Sequence, residues 1–276
     1  MSERVMVTMN ENGVADVRLN RPEKMNAFDT KMFKAVAETG ERLAAEPSLR
    51  AVVLSGEGRG FCAGMDFSAF QGMSDRDDDK ERGSGQKKGT IFDTDGRITH
   101  LGQQAAWTWN EIPVPVIAAI HGHALGAGAQ VALGADIRIM APDAQLSILE
   151  IRWGLTPDMT GTVSLSRLVG MDVAKELAWT GRMVGGVEAK ELGLATRLSD
   201  TPREDALALA EDIAAKNPHA IRGAKAMFNE IDQLDLAQAF ETERNVIGSL
   251  IGSPNQTEAV RAFFDKRPPE FNDPDQ

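Results

Sequence analysis

Residues 115–130, PVIAAIHGHALGAGAQ, join a continuous apolar run to a string of glycines and alanines. An apolar run this short, bounded by proline and glycine, reads as a strand buried on both faces. The small residues after it admit backbone conformations and close approaches that a larger side chain forbids. The fold must therefore bury this strand and let the segment leaving it come against other backbone. A second stretch shares the design: RAVVLSG (50–56) reads as a buried strand, and GFCAGMD (60–66) follows it.

Both loops lead toward helix starts, where unpaired N–H groups and the positive end of the helix dipole are exposed. Two N–H groups aimed at one point stabilise an oxyanion, and losing one such donor costs on the order of 10²–10³ in rate. Taken singly, either loop reads equally well as tight helix–sheet packing. Neither ends in Gly-Lys-Ser/Thr, as a phosphate loop would, and neither contains the Gly-x-Ser-x-Gly of a nucleophile elbow.

The rest of the chain supplies the frame. Residues 4–9 and 13–20 read as strands, and a helix is expected from about Asp29, its N-cap, to Ala45. A polar, charged stretch over 71–97 reads as a mobile insertion without a core. A helix over Ile98–Trp109 returns the chain to the core. ADIRIMA (135–141) and AQLSILE (144–150) are expected as third and fourth strands, so strands and helices alternate and the class is α/β. Residues 162–195 read as helices broken by glycine, and Pro202–Phe264 as helical throughout. SPNQ (253–256) has the form of a capping box. A soft boundary near residue 200 separates a sheet-rich part (1–200) from a helical part (201–276).

Composition excludes some functions. The net charge of −11 over 276 residues, with no basic stripe, disfavours nucleic acid and anionic membrane as main partners. The longest apolar run, Ile112–Ile120, is too short to span a bilayer. MSERVMVTMN has no long apolar core, so no secretory signal is expected. The single cysteine, Cys62, forms no intrachain disulfide, and a reducing cytoplasm is the expected location.

LNRPEKMNAF (19–28), GRGFCAGMDF (58–67), PVIAAIHGHALGAGAQVALGADIRI (115–139) and AQLSILEIRWGLTPD (144–158) occur in the order and spacing of the enoyl-CoA hydratase/isomerase, or crotonase, superfamily. AVRAFFDKRPPEF (259–271) resembles its C-terminal signature, so the resemblance spans nearly the whole chain outside 71–97. It implies a β-β-α superhelical (spiral) core and a helical C-terminal region that forms a homotrimer or a dimer of trimers. It implies an acyl-CoA thioester substrate, with coenzyme A as part of that substrate and no separate cofactor. The thioester oxygen is expected between the N–H groups of Met65 and Ala127. The second of these is usually a glycine, and alanine fits there only with a negative φ. Ala63, Asp66 and Gly126 join the expected substrate-binding set. Lys24, Phe263 and Lys266 fall where relatives contact CoA, the last two from a neighbouring subunit.

The same resemblance places acids at up to three positions, held here by Gln130, Glu150 and Asp158. Hydration needs an aligned water and a proton donor, which two carboxylates supply. Gln130 can orient a water but cannot accept a proton. Relocating a double bond needs a base that removes a proton and a group that returns it, and Glu150 with Asp158 fits this slightly better. A hydratase with Gln130 holding water, and a non-catalytic acyl-CoA-binding trimer, remain alternatives. Asp158 reads equally as a cap for the next helix. Trp153, three residues after Glu150, is the best aromatic candidate for the pocket, while Trp107, Trp109 and Trp179 read more readily as core. His121 and His123 have no further ligands at metal spacing and read as structural. Cys62 reads as a small packing residue.

Overall fold

The computed structural model describes residues 3–66, 93–94 and 96–274. The expected insertion lies almost wholly outside these residues.

Strands β1 (Val5–Met9) and β2 (Val14–Leu19) form an antiparallel hairpin with Val5 opposite Leu19. Helix α1 (Thr30–Ala44) follows, and the Asp29 side chain accepts from the Met32 N–H as its cap. Strand β3 (Ala51–Gly56) adds to β2 in parallel. Helix α2 (Leu101–Glu111) leads to β4 (Val116–Ile120), parallel to β3. Beyond it come β5 (His123–Leu125), helix α3 (Ala127–Leu133), β6 (Ile137–Met140) and β7 (Gln145–Ser147). A 3-10 turn (Glu150–Trp153), helices α4 (Gly161–Leu168) and α5 (Met171–Thr180), β8 (Val184–Gly185), α6 (Gly186–Leu192) and β9 (Arg197–Leu198) complete the sheet-bearing part. Helices α7 (Pro202–Ala214), α8 (Pro218–Glu230), α9 (Leu236–Leu250) and α10 (Pro254–Asp265) follow.

The main sheet runs β1-β2-β3-β4-β6-β9, parallel from β2 onward. A small second sheet, β5-β7-β8, stands beside it. β3 and β4 are buried along their whole length, and alternate residues face opposite sides, as strand geometry requires. Val52, Leu54, Val116, Ala118 and Ile120 enter the large core with α1, α2 and α3. Val53, Ile117, Ala119 and Ile139 face the other way, against Ala206, Ala210 and Ala214 of α7. Three alanines at a spacing of four give that helix one flat face to lie on the sheet.

Three expectations shift. The helix expected from Ile98 starts at Leu101, because His100 caps it. The His100 side chain accepts from the Gly102 and Gln103 N–H groups, and Gln103 bonds back to the His100 N–H. AQLSILE supplies only the three-residue β7, in the second sheet, before the chain turns at Glu150. Ser253 does cap α10, but the Gln256 side chain accepts from the Gly252 N–H, so the reciprocal arm falls one residue early. Among the described residues every strand lies before residue 200, while α7, just past it, packs on the sheet and belongs to its core. On the far side, Lys225 of α8 is buried and donates to the Trp109 and Val114 carbonyls and to Asp136 at 2.7 Å, fastening the helical region to the main sheet.

Candidate active site

The two small-residue loops lie side by side. Cys62 pairs with Ala124 in a parallel bridge: the Cys62 N–H donates to the His123 carbonyl (2.8 Å) and the Leu125 N–H to the Cys62 carbonyl (2.9 Å). The Gly126 N–H continues the pattern to the Ser147 carbonyl of β7 (2.9 Å). Gly64, at φ +96°, abuts this ladder; a Cβ there would stand 2.9 Å from the Leu125 carbonyl oxygen. Gly126 caps α3 at φ +51°, ψ −117°, a conformation that favours glycine. Gly128, one turn in, touches Cys62: a Cβ would lie 2.6 Å from both the Cys62 Cβ and its carbonyl oxygen. Tight packing and a pair of helix-end donors are therefore the same structure, not rival readings of it.

Met65 and Ala127 each follow one of these abutting glycines. Among the described residues, neither N–H has a protein acceptor. Ala127 is the first residue of α3 and lies outside the left-handed region, so the departure from glycine carries no strain.

The loop holding Met65 is organised by a residue to which the sequence reading gave no role. Asn26 is fully buried at φ +58°, and its Nδ2 donates to the carbonyls of Glu57, Gly60 and Phe61 at 2.9–3.1 Å. The Ala63 N–H donates to the Met25 carbonyl, the Phe28 N–H to the Gly64 carbonyl and the Asp66 N–H to the Phe28 carbonyl. Asn tolerates the left-handed region better than most residues, and that is the one signal in RPEKMNAF that pointed here. Asp66 is buried and pairs with Arg21 at 2.6 Å, anchoring the far end of the same loop. Cys62 is fully buried, and desolvation pushes its thiol up to about 12, so it is a packing residue and no thiolate nucleophile.

Glu150 opens the 3-10 turn that follows β7 and meets the start of α3. A Cβ on Gly126 would lie 3.5 Å from its Oε1. Gln130, fully buried one turn into α3, donates from Nε2 to Glu150 Oε1 at 2.6 Å. The other carboxylate oxygen, Oε2, is buried and has no hydrogen-bond partner among the described residues. Burial raises the Glu150 pKa; its own N–H and the Gln130 donor pull it down; the charge of Asp158 raises it again. Asp158 is exposed and does not cap α4, whose N-cap is Thr160 with no side-chain cap bond. Trp153 is half exposed at the end of the turn. Trp109 is core, its Nε1 bonded to the Ala105 carbonyl, while Trp179 is largely exposed. His121 bonds through Nε2 to the Gly58 carbonyl. Among the described residues no three His, Cys, Asp or Glu side chains lie together as a metal site.

Lys24 ends an exposed 3-10 turn (Pro22–Lys24), and Phe263 and Lys266 stand exposed on and just past α10. Among the described residues no hydrogen bond or ion pair joins them to Met65, Ala127 or Glu150 within one chain.

A sequence model described as enoyl-CoA hydratase/isomerase matches residues 9–274. The chain belongs to the enoyl-CoA hydratase/isomerase family. Enoyl-CoA hydratase domain-containing protein 2 of mouse mitochondria is 32% identical, over 94% of this chain and 84% of that one. Methylglutaconyl-CoA hydratase of mouse mitochondria is 30% identical, over 94% of this chain and 79% of its own. The crystal structure of enoyl-CoA hydratase from Bacillus anthracis superposes with a TM-score of 0.85 at 30% identity, covering 97% of this chain and 98% of that one. The fold is the crotonase fold, α/β with a C-terminal helical region, and the protein is an enzyme of the hydratase or isomerase type. An acyl-CoA thioester fits this family as substrate.

Proposed function

We propose that this family member moves a double bond along an acyl-CoA chain, with Glu150 as the acid/base and the Met65 and Ala127 N–H groups holding the thioester oxygen. One observation carries the reading: the Glu150 carboxyl, its Oε1 beside Gly126 and its Oε2 buried without a partner among the described residues, meets the start of α3, whose Ala127 N–H has no protein acceptor among them. In a 3-enoyl-CoA, the Glu150 carboxylate takes a proton from the carbon next to the thioester. The electron pair moves into the thioester, and the developing charge on oxygen is held by the two N–H groups. The proton then returns at the fourth carbon as the double bond shifts into conjugation. A dienoyl-CoA is handled by the same shuttle over a longer system. Asp158, exposed and near enough to raise the Glu150 pKa, is assigned as the second acid of the site.

Hydration of a 2-enoyl-CoA is the second reading, favoured by relatives that bear the name hydratase. In that reading Gln130 and Glu150 together align the water. Crotonyl-CoA hydration, 3-enoyl-CoA isomerisation and 3,5-dienoyl-CoA isomerisation, measured on one preparation, separate the two. Isomerisation is expected to be the faster reaction; robust hydration with no isomerisation would overturn the proposal.

Assembly as a homotrimer, or a dimer of trimers, is part of the same proposal. It is supported by large apolar side chains left in the open on the helical region, among them Phe228, Leu236, Phe240, Ile251, Phe263 and Phe264. In that assembly Lys24 serves the CoA phosphates of its own chain, and Phe263 and Lys266 reach a neighbour's. Among the described residues no helix is long and apolar enough to cross a membrane. A cytoplasmic location is proposed from the single buried thiol.

A further inference from the structure

Gln130 carries no titrating proton, yet its polar end is more fully engaged than that of any acid in the site. Oε1 accepts from two backbone donors, the Met159 N–H (2.9 Å) and the Gly161 N–H (3.0 Å). These two donors fix which end of the amide is oxygen, because a flipped amide would set NH₂ against N–H. Nε2 is thereby pointed at Glu150 Oε1, 2.6 Å away. Gly161 closes the cradle: a Cβ there would stand 2.5 Å from the Gln130 oxygen. The amide thus joins α3, the start of α4 and the turn at Glu150, while Glu150 Oε2 is left without a partner.

We propose that Gln130 is a positioning residue: by holding Oε1 it fixes the orientation of the Glu150 carboxyl that exchanges a proton with the acyl chain. The inference rests on Glu150 being the acid/base. It assigns Gln130 a different task from holding water, since its carbonyl oxygen is filled by two backbone donors, its Nε2 is on Glu150 and the residue is fully buried. With the carboxyl held in one orientation, removal and return of a proton are made from one fixed position, which suits relocation along a chain. Three groups act on Glu150: the Gln130 amide from α3, its own N–H, and the exposed Asp158 carboxylate from the loop before α4. A hydrogen-bond donor stabilises the charged form, so losing the Gln130 donor must raise the pKa of Glu150 further.

The test uses the purified full-length enzyme and the enoyl-CoA it turns over best, with kcat, KM and the pH dependence of kcat/KM measured for Gln130→Leu, Gln130→Glu, Gly161→Ala and Glu150→Gln. Gln130→Leu is expected to lower kcat about 10- to 100-fold through misplacement of the base, with KM within about twofold. Its acidic limb is expected to move to higher pH. Gly161→Ala keeps the amide but pushes on its oxygen, and is expected to shift the limb the same way by less. Gln130→Glu keeps the two backbone bonds and adds a coupled carboxylate, so its acidic side is expected to broaden into two steps. A fall in kcat with the acidic limb unmoved in both Gln130→Leu and Gly161→Ala would overturn the proposal and leave Gln130 a structural brace. If Gln130→Leu does not fold, Gly161→Ala and Gln130→Glu decide by the same limb. Should Glu150→Gln keep full activity, the acid/base reading fails; should it be inactive while the Gln130 variants match the parent, only the positioning role fails.

Discussion

Glu150 is held between opposing influences: burial drives its carboxyl toward the protonated form, while the Gln130 donor and its own N–H favour the anion. Burial outweighs the two donors, so the net direction is upward from the ordinary glutamate value. The sign for stability follows. Between the unfolded and the raised folded pKa the native state binds more protons than the unfolded chain, so this group's contribution falls as pH rises through that window. Glu150→Gln keeps an acceptor for Gln130 Nε2 and removes the buried charge. Its melting temperature is expected to equal or exceed the parent's at pH 8, with the difference shrinking toward pH 4. Its turnover is expected to drop by roughly 10²–10⁴, the usual weight of a general acid or base. A thermal melt series and a single-substrate assay check both halves, and a Glu150→Gln protein less stable at pH 8 than at pH 4 relative to the parent would contradict them. Glu150 was legible in the sequence because it falls at a family position. The cradle of Gln130 was not, because Met159 and Gly161 lie 29 and 31 residues away and bond through backbone N–H groups, which any residue but proline carries.

Helix α3 is only seven residues long, and the N–H of its first residue has no protein acceptor among the described residues. Proline is accepted at the first position of a helix, where its missing N–H leaves no intrahelical bond unmade. Ala127→Pro therefore removes the donor while sparing the helix. The expected result is a fall in kcat on the order of 10²–10³, about 3–4 kcal/mol of transition-state stabilisation, with an unchanged circular dichroism spectrum. Activity within threefold of the parent would show that the Ala127 N–H does not meet the thioester oxygen. At this scale the sequence was readable where its pattern was strong. The buried β3 and β4, the Asp29 cap of α1 and the start of α3 at Gly126 all follow from local rules. β7 was overextended because ILE continues the apolar run, and only the turn at Glu150, set by contact with α3, ends it. The start of α2 was misplaced because histidine is an uncommon cap and Ile98 looks like a helix residue, though it stands almost fully exposed.

Across the whole molecule the main sheet has two well-covered faces, one under α1–α3 and one under α7, while the outer helices keep large apolar groups in solvent. Phe240 and Phe263 are more than half exposed, and burying a side chain of this size is worth roughly 1.5–3 kcal/mol. The parent is expected to scatter light as three or six chains, and Phe240→Asp with Phe263→Asp as fewer. A monomeric parent would remove the assembly proposal and with it the shared CoA contacts of Phe263 and Lys266. The frame around Gln130 has a further consequence, in terms of inheritance. Glutamine and glutamate codons differ by one base, CAA or CAG against GAA or GAG, and two backbone N–H groups donate to a carboxylate oxygen as readily as to an amide oxygen. One nucleotide therefore separates this gene from one encoding a second carboxylate at the same spot, with no helix, strand or loop needing to move. A lineage holding this fold can gain or lose a buried carboxylate beside Glu150 in a single step, and the glutamine found here marks which side of that step this chain stands on.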